Sequence, residues 1–360
     1  MKFQKEERVI NMKKIKVAQI GIGHDHSSAA FQSMLRQKDI FELTGFCVCE
    51  GEEEQFEQRK NEFEGAPRLS VEEILNDSSL DGVVIECNEV ILTKYALLAL
   101  EKGFHVYMDK PGSEDPDDFE RMVRMAKDTG RVLHLGYMYR YNPAVIEAMK
   151  KVKNGELGEI YSVEAHMDCL HNPQKRQWMG TFRGGMLFFL GCHLIDMIVQ
   201  FQGIPEEIIP LNMTTGFDGV TGNDYGMAVF RYPRGISFAK TCAAEPGGFR
   251  RRQLVICGEK GTIEIKPFEK YIDASGSDQN QVTGVVEAYA EDCWKNGWNY
   301  TGVYRETEGF NRYDAMMADF AAVVRGDKES DYSYEYELLL HRILLKACGF
   351  DVDYKKEIQL

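Results

Sequence analysis

Lys14-Ile-Lys-Val-Ala-Gln-Ile-Gly21-Ile-Gly23-His24-Asp25-His26-Ser-Ser-Ala-Ala30 reads as a buried strand, a glycine turn and the start of a helix. Such a turn can cradle a dinucleotide. Gly21 permits a tight exit from the strand, and Gly23, without a Cβ, lets the backbone approach a pyrophosphate at the helix N-terminus. The third position of the G-x-G-x-x-G pattern is occupied by His26 instead of a small residue, so the stretch alone also fits an ordinary strand-to-helix turn. Ile22, His24 and His26 join the two glycines as candidate cofactor contacts.

Working outward, Phe41 to Cys49 reads as a second strand that ends on Glu50. An acid at that place accepts hydrogen bonds from adenosine ribose hydroxyls and repels a 2′-phosphate, which predicts NAD in preference to NADP. Glu52, Glu53 and Glu54 read as a solvated acidic helix. Ser70-Val-Glu-Glu73 is a capping box that opens a short helix. Leu80–Ile85, Phe104–Met108 and Arg131–Tyr137 read as strands, alternating with helices over Thr93–Lys102 and Asp115–Lys127. That alternation predicts a parallel, doubly wound sheet, with ligands beyond the carboxyl ends of its strands. Asp109-Lys110-Pro111 falls at such an end.

The pattern changes at Tyr139-Arg140-Tyr-Asn142-Pro143, where a long helix opens and the domain boundary is placed. Residues 1–13 are expected to be a flexible extension, 14–138 a dinucleotide-binding domain, and 139–360 an α+β substrate and oligomer domain whose C-terminal helices can pack back on the first. In the second part, Ile160–Met167, Tyr225–Tyr232, Ile236–Ala243, Gln253–Cys257 and Gly261–Lys266 read as strands of a large, mainly antiparallel sheet. An apolar helix runs through Gly191-Cys-His193-Leu-Ile-Asp196, and two helices, Tyr313–Arg325 and Tyr334–Cys348, close the chain. The fold class is therefore α/β with an added α+β domain.

Composition excludes several function classes. The 43 Lys and Arg face 57 Asp and Glu, and the formal charge of -14 opposes a nucleic acid or an anionic membrane as partner. No apolar run reaches the roughly 20 residues of a membrane helix, and no hydrophobic leader follows Met1, so a cytoplasmic location is expected. The 9 cysteines contain no C-x-x-C pair and read as reduced core residues.

Taken together, Gly21-x-Gly23, Lys110-Pro111, Arg140 with Asn142-Pro143, and Gly191-x-His193-x-x-Asp196 resemble the Gfo/Idh/MocA family of oxidoreductases over nearly the whole chain. The resemblance implies an N-terminal Rossmann domain holding NAD(P) and a C-terminal domain whose open sheet covers the substrate and makes oligomer contacts, here a homodimer or homotetramer. The Lys, Asp and His of family dehydrogenases fall on Lys110, Phe189 and His193, so one carboxylate is missing. Leu92 likewise stands where the family often has a His. On the cofactor side the candidates are Gly21, Ile22, Gly23, His24, His26, Glu50, Asn88, Asp109, Lys110 and Arg140.

The expected activity is hydride transfer between NAD and a secondary alcohol of a sugar, polyol or sugar acid. His193 and Lys110 are suited to take the hydroxyl proton and to donate to the oxygen. The alternatives are a redox-neutral glycosidase or lyase with tightly bound NAD, and a sensor of sugar or NAD without turnover. A second polar cluster holds His166, Asp168, Arg176 and Trp178. It reads as a sugar-binding edge, as a zinc or manganese site completed by His193, or as a polar loop beside the cleft, with the sugar edge preferred and no metal assigned. Asp168 is also a candidate source of the missing carboxylate.

Overall fold

The computed structural model describes residues 13–269, 282–307, 309 and 311–360. The extension expected over residues 1–13 falls outside them, apart from Lys13.

The first half is built from β1 (Ile15–Ile20), α1 (Ser27–Arg36), β2 (Phe41–Cys47), α2 (Glu53–Arg59), α3 (Val71–Asn76), β3 (Gly82–Ile85), α4 (Leu92–Glu101), β4 (His105–Met108), α5 (Pro116–Asp128) and β5 (Leu133–Leu135). The strands form one parallel sheet in the order β2-β1-β3-β4-β5. Their near-continuous burial is what a sheet covered on both faces requires. Local chemistry sets the helix starts. Ser70 and Glu73 make the reciprocal capping box, while Asp115 accepts the Asp117 amide and Pro116 occupies the first turn of α5. Because the order changes direction at β1, the ends of β1, β3 and β4 converge on one crevice.

After α6 (Pro143–Lys153), strands β6 (Ile160–Asp168), β7 (Glu207–Met213), β8 (Tyr225–Arg231), β9 (Ile236–Cys242), β10 (Gln253–Gly258), β11 (Gly261–Ile265), β12 (Gly284–Tyr289) and β13 (Val303–Glu306) form the second sheet, with α7 (Pro173–Trp178), α8 (Cys192–Gln202) and α9 (Ala290–Asn296) between them. Its order is β13-β12-β11-β10-β6-β9-β8-β7, and the β6–β9 pair is parallel in an otherwise antiparallel set. Strands β7, β12 and β13 are absent from the sequence reading. Glu207–Met213 contains Pro210 and leaves Ile209, Leu211 and Met213 exposed, an edge strand without a hydrophobic-in, polar-out alternation.

The C-terminal helices α10 (Asp314–Arg325) and α11 (Tyr334–Ala347) return to the first sheet. Asp314 accepts from Ser33 and Arg36 of α1, and the His341 ring of α11 stacks 3.7 Å from Phe119 of α5.

Candidate active site

Gly21 takes φ +89°, and a Cβ there would collide with the Cys87 backbone. The first glycine is thus required by both dihedral and space. At Gly23 a Cβ would run into the carboxylate of Glu52. Glu52 is 3% exposed and accepts the amides of Ile22 at 2.9 Å, Cys49 at 2.9 Å and Asn88 at 3.0 Å. Burial, followed by the nearby Cys49 thiol, raises its carboxyl above the usual range, while the three amides oppose that shift. This corrects the sequence reading of Glu52 as part of a solvated helix. Glu50 is exposed, and Glu52, placed just ahead of α2, folds back to join the loops after β1, β2 and β3. Three amide donors without a backbone acceptor, two buried and that of Asn88 partly buried, demand such a group, but no local sequence pattern marks which of four neighbouring acids supplies it.

The side chains at the strand ends are buried together. Lys110 is 1% exposed, donates to the Phe189 carbonyl at 3.1 Å and lies 4.8 Å from the centre of the Phe189 ring. The carbonyl belongs to a π-helical turn, Leu187–Gly191, that leads directly into α8 and His193. Such turns often mark functional sites. A backbone oxygen and an aromatic face therefore meet the lysine where the family places a carboxylate. His193 lies edge-on to Tyr139 at 4.9 Å and to Tyr137 at 5.8 Å, and both of its buried ring nitrogens lack a hydrogen-bond partner. Burial, and then the Lys110 ammonium, holds its pKa well below the imidazole range. The ring is neutral at pH 7 and has a lone pair to offer.

His26 stacks 6.3 Å from His193 and reaches Asp109 at 3.0 Å. Asn88 caps a short turn after β3. Arg140 does not face this crevice. Its guanidinium is held by Asp196 at 2.9 Å through two bonds and by Glu337 at 2.5 Å, under the rings of Tyr137 and Tyr332. That cluster ties α8 to α11, and its residues read as structural.

His166 and Asp168 do share one face of β6 and bond to each other. The ammonium of Lys240, however, stands 3.0 Å from His166, 2.9 Å from Asp168 and 3.4 Å from Glu245. This cluster contains its own cation where a metal would have to sit, which counters the zinc or manganese reading. Arg176 is buried in ion pairs with Asp218 and Asp224. Trp178 is half-buried, packs edge-on to Phe189 at 5.7 Å, and carries the Lys175 ammonium 3.8 Å over its ring. Lys175 in turn bonds Asp25 of the glycine turn at 3.0 Å. This link between the two halves, and Lys240 itself, lay outside the sequence reading because neither lysine stands in a motif.

The residues fit a nicotinamide dinucleotide. The turn has the glycine-only conformation, α1 starts directly behind it, and the unpartnered nitrogens of His193 lie near Lys110 at the same strand ends. Fold and site together have the architecture of an NAD(P)-binding oxidoreductase family, a parallel Rossmann sheet followed by a larger, mainly antiparallel one. The profile described as "Oxidoreductase family, NAD-binding Rossmann fold" matches residues 15–137, and that described as "GFO/IDH/MocA C-terminal domain" matches residues 145–264. The chain belongs to the Gfo/Idh/MocA family.

The uncharacterized oxidoreductase YhhX of Escherichia coli is 29% identical over 138 residues, 38% of this chain and 40% of its own length. The scyllo-inositol 2-dehydrogenase (NADP(+)) IolW of Bacillus subtilis is 23% identical over 202 residues, 54% of this chain and 55% of its own length. The chain thus aligns with about half or less of these curated relatives. The solved structure of the WlbA dehydrogenase from Bordetella pertussis, in complex with NADH and UDP-GlcNAcA, superposes with a TM-score of 0.71 at 18% identity, covering 93% of this chain and 97% of that one. That likeness is one of fold.

Proposed function

We propose that the protein is an NAD-dependent dehydrogenase acting on a secondary alcohol of a sugar, polyol or sugar acid. The observation that carries this reading is His193, buried with both nitrogens unpartnered near Lys110 at the ends of the Rossmann strands. A buried imidazole with no internal partner has one waiting in a ligand. Bound NAD supplies the hydride acceptor. His193 takes the hydroxyl proton, for which its neutral ring is prepared, and Lys110 donates to the alcohol oxygen as the carbonyl develops. Gly21 and Gly23 shape the turn beside the dinucleotide, and the Glu52 carboxylate, which holds the Ile22 amide, disfavours a 2′-phosphate. Substrate selection falls to Trp178, His166 and Asp168, and a cavity of about 920 Å³ lined by Cys169, Leu170, Phe249, Arg250 and Glu269 opens next to the end of β6. The exposed Ile209, Leu211 and Met213 of β7 support assembly of two or four copies.

Phe189 favours a second reading. Without the family carboxylate at that place, a redox-neutral glycosidase or lyase, which oxidises and re-reduces one sugar, remains a competing use of the same pair. Titration of the purified protein with NAD and NADP, followed by tryptophan fluorescence, tests the cofactor assignment. NAD is expected to bind at least tenfold more tightly, and tighter binding of NADP would reject the role given to Glu52.

A further inference from the structure

We infer that His26, oriented by Asp109, is the outlet through which the proton freed by the oxidation leaves the buried site, a role that rests on the dehydrogenase reading above. Oxidation of an alcohol by NAD frees one proton per turnover, and the base that takes it must be neutral again before the next. His193 is 0% exposed, and Lys110 is 1% exposed with its ammonium bonded to the Phe189 carbonyl. Neither reaches water. The side chain of His26 does: it is 13% exposed, and its ring stacks 6.3 Å from that of His193. One water spans such a gap with two hydrogen bonds.

The ring is held as a proton carrier requires. His26 Nδ1 lies 3.0 Å and 3.3 Å from the two carboxylate oxygens of Asp109, which also accepts the Lys110 amide at 2.7 Å. Burial works against the Asp109 charge, but the imidazoles beside it and the Lys110 ammonium outweigh burial and hold its carboxyl below the usual range. The carboxylate is therefore the acceptor and His26 Nδ1 carries the proton. Nε2, for which the described residues provide no hydrogen bond, keeps the lone pair. An aspartate that holds a histidine in this way fixes the tautomer of a base. His24 secures the backbone around the pair, since its Nδ1 accepts the His26 amide at 3.1 Å and its Nε2 donates to the Lys110 carbonyl at 3.1 Å. Both nitrogens of His24 are thereby used, so it positions the outlet and carries no proton. The rings of His24 and Tyr313 stand edge-on to His26 at 4.7 Å and 5.7 Å. The transfers balance. The hydroxyl proton passes to His193, from His193 through a water to His26 Nε2, and from His26 to bulk water. Each imidazole gains and loses one proton per turnover, and Asp109 stays charged.

The test uses the full chain with NAD and a panel containing D-glucose, D-xylose, myo-inositol and D-gluconate, the variants being assayed on the compound that yields most NADH with wild type. His26→Ala is expected to lose about 10²-fold in kcat at unchanged NAD affinity, and imidazole in the buffer to restore the rate in proportion to its concentration. Thiazole, a ring of like size and far weaker basicity, should restore nothing. His26→Gln keeps a donor for Asp109 and fills the space, so it should fold, stay slow and resist rescue. Nitrogen-15 NMR of the chain without cofactor or substrate reads the pair by itself and is expected to show His26 as the Nδ1–H tautomer. In Asp109→Asn the single acceptor oxygen goes to the Lys110 amide and the NH2 faces His26, which turns the ring to the Nε2–H form. Full kcat in His26→Ala, a slow His26→Ala that imidazole does not restore, or an Nε2–H ring in the wild type would overturn the inference and leave the dehydrogenase reading standing. Absence of NADH from the wild type would reject that reading, and the outlet with it.

Discussion

Glu52→Gln is the perturbation that most sharply separates what the fold does from what the motif suggests. One carboxylate oxygen accepts the amides of Ile22 and Cys49, and the other accepts that of Asn88. A glutamine keeps one acceptor. Its best placement retains Ile22 and Cys49, and it turns its own NH2 against the Asn88 amide. One buried N–H without an acceptor costs about 1–3 kcal/mol. The two surviving bonds lose their charge assistance, roughly half their strength. Against this, a neutral side chain removes the burial cost that raises the Glu52 carboxyl. The expected net loss is about 2 kcal/mol. The assay is urea unfolding combined with amide hydrogen exchange read at Ile22, Cys49 and Asn88. Glu50→Gln, at an exposed position, should change stability by no more than about 0.5 kcal/mol. If Glu52→Gln were as stable and as protected as wild type while Glu50→Gln opened these loops, the assignment of the three amides to Glu52 would be refuted.

Two other outcomes follow from buried charge. His341 and His134 are both lowered to about 4 by burial. Their folded values lie below the unfolded value of about 6.5, so their contribution is complete above pH 6.5 and is lost as pH falls toward 4. Each should cost about 2 kcal/mol by pH 5, measured as a fall in the urea midpoint that shrinks when His341 is replaced by Gln. Arg140→Met removes the cation that pairs the buried Asp196 and Glu337, with Tyr336 and Gln200 still donating to Asp196, and should destabilise by about 3–5 kcal/mol. Replacing all three, with Asp196→Leu and Glu337→Met, should restore much of the loss in the same unfolding assay.

The parallel sheet was legible because β1, β3 and β4 are short apolar runs bounded by turns, and because Ser70, Asp115 and Asn142 carry caps that fix where helices start. Strands β12 and β13 were not, since Gly284–Tyr289 and Val303–Glu306 are half-exposed and held by their neighbours in the sheet more than by local preference. The site divided in the same way. Lys110 and His193 stand in motifs with fixed order. Glu52 and Lys240 gain their roles only through contacts between distant segments. Arg140 and Arg176 mark the opposite error, in which a motif or a cleft-like pattern suggested ligand contact and the structure uses the charge to join elements.

The central claim is that His193 is the base of an NAD-linked oxidation. Formation of NADH by wild type and His193→Gln, measured across a panel of free sugars, polyols, sugar acids and glycosides, tests it most directly. The account predicts NADH in stoichiometric yield from at least one free sugar, polyol or sugar acid, a loss of about 10²–10⁴-fold in kcat for His193→Gln, and unchanged NAD binding. Cleavage of a glycoside without accumulating NADH, or full activity in His193→Gln, would contradict it.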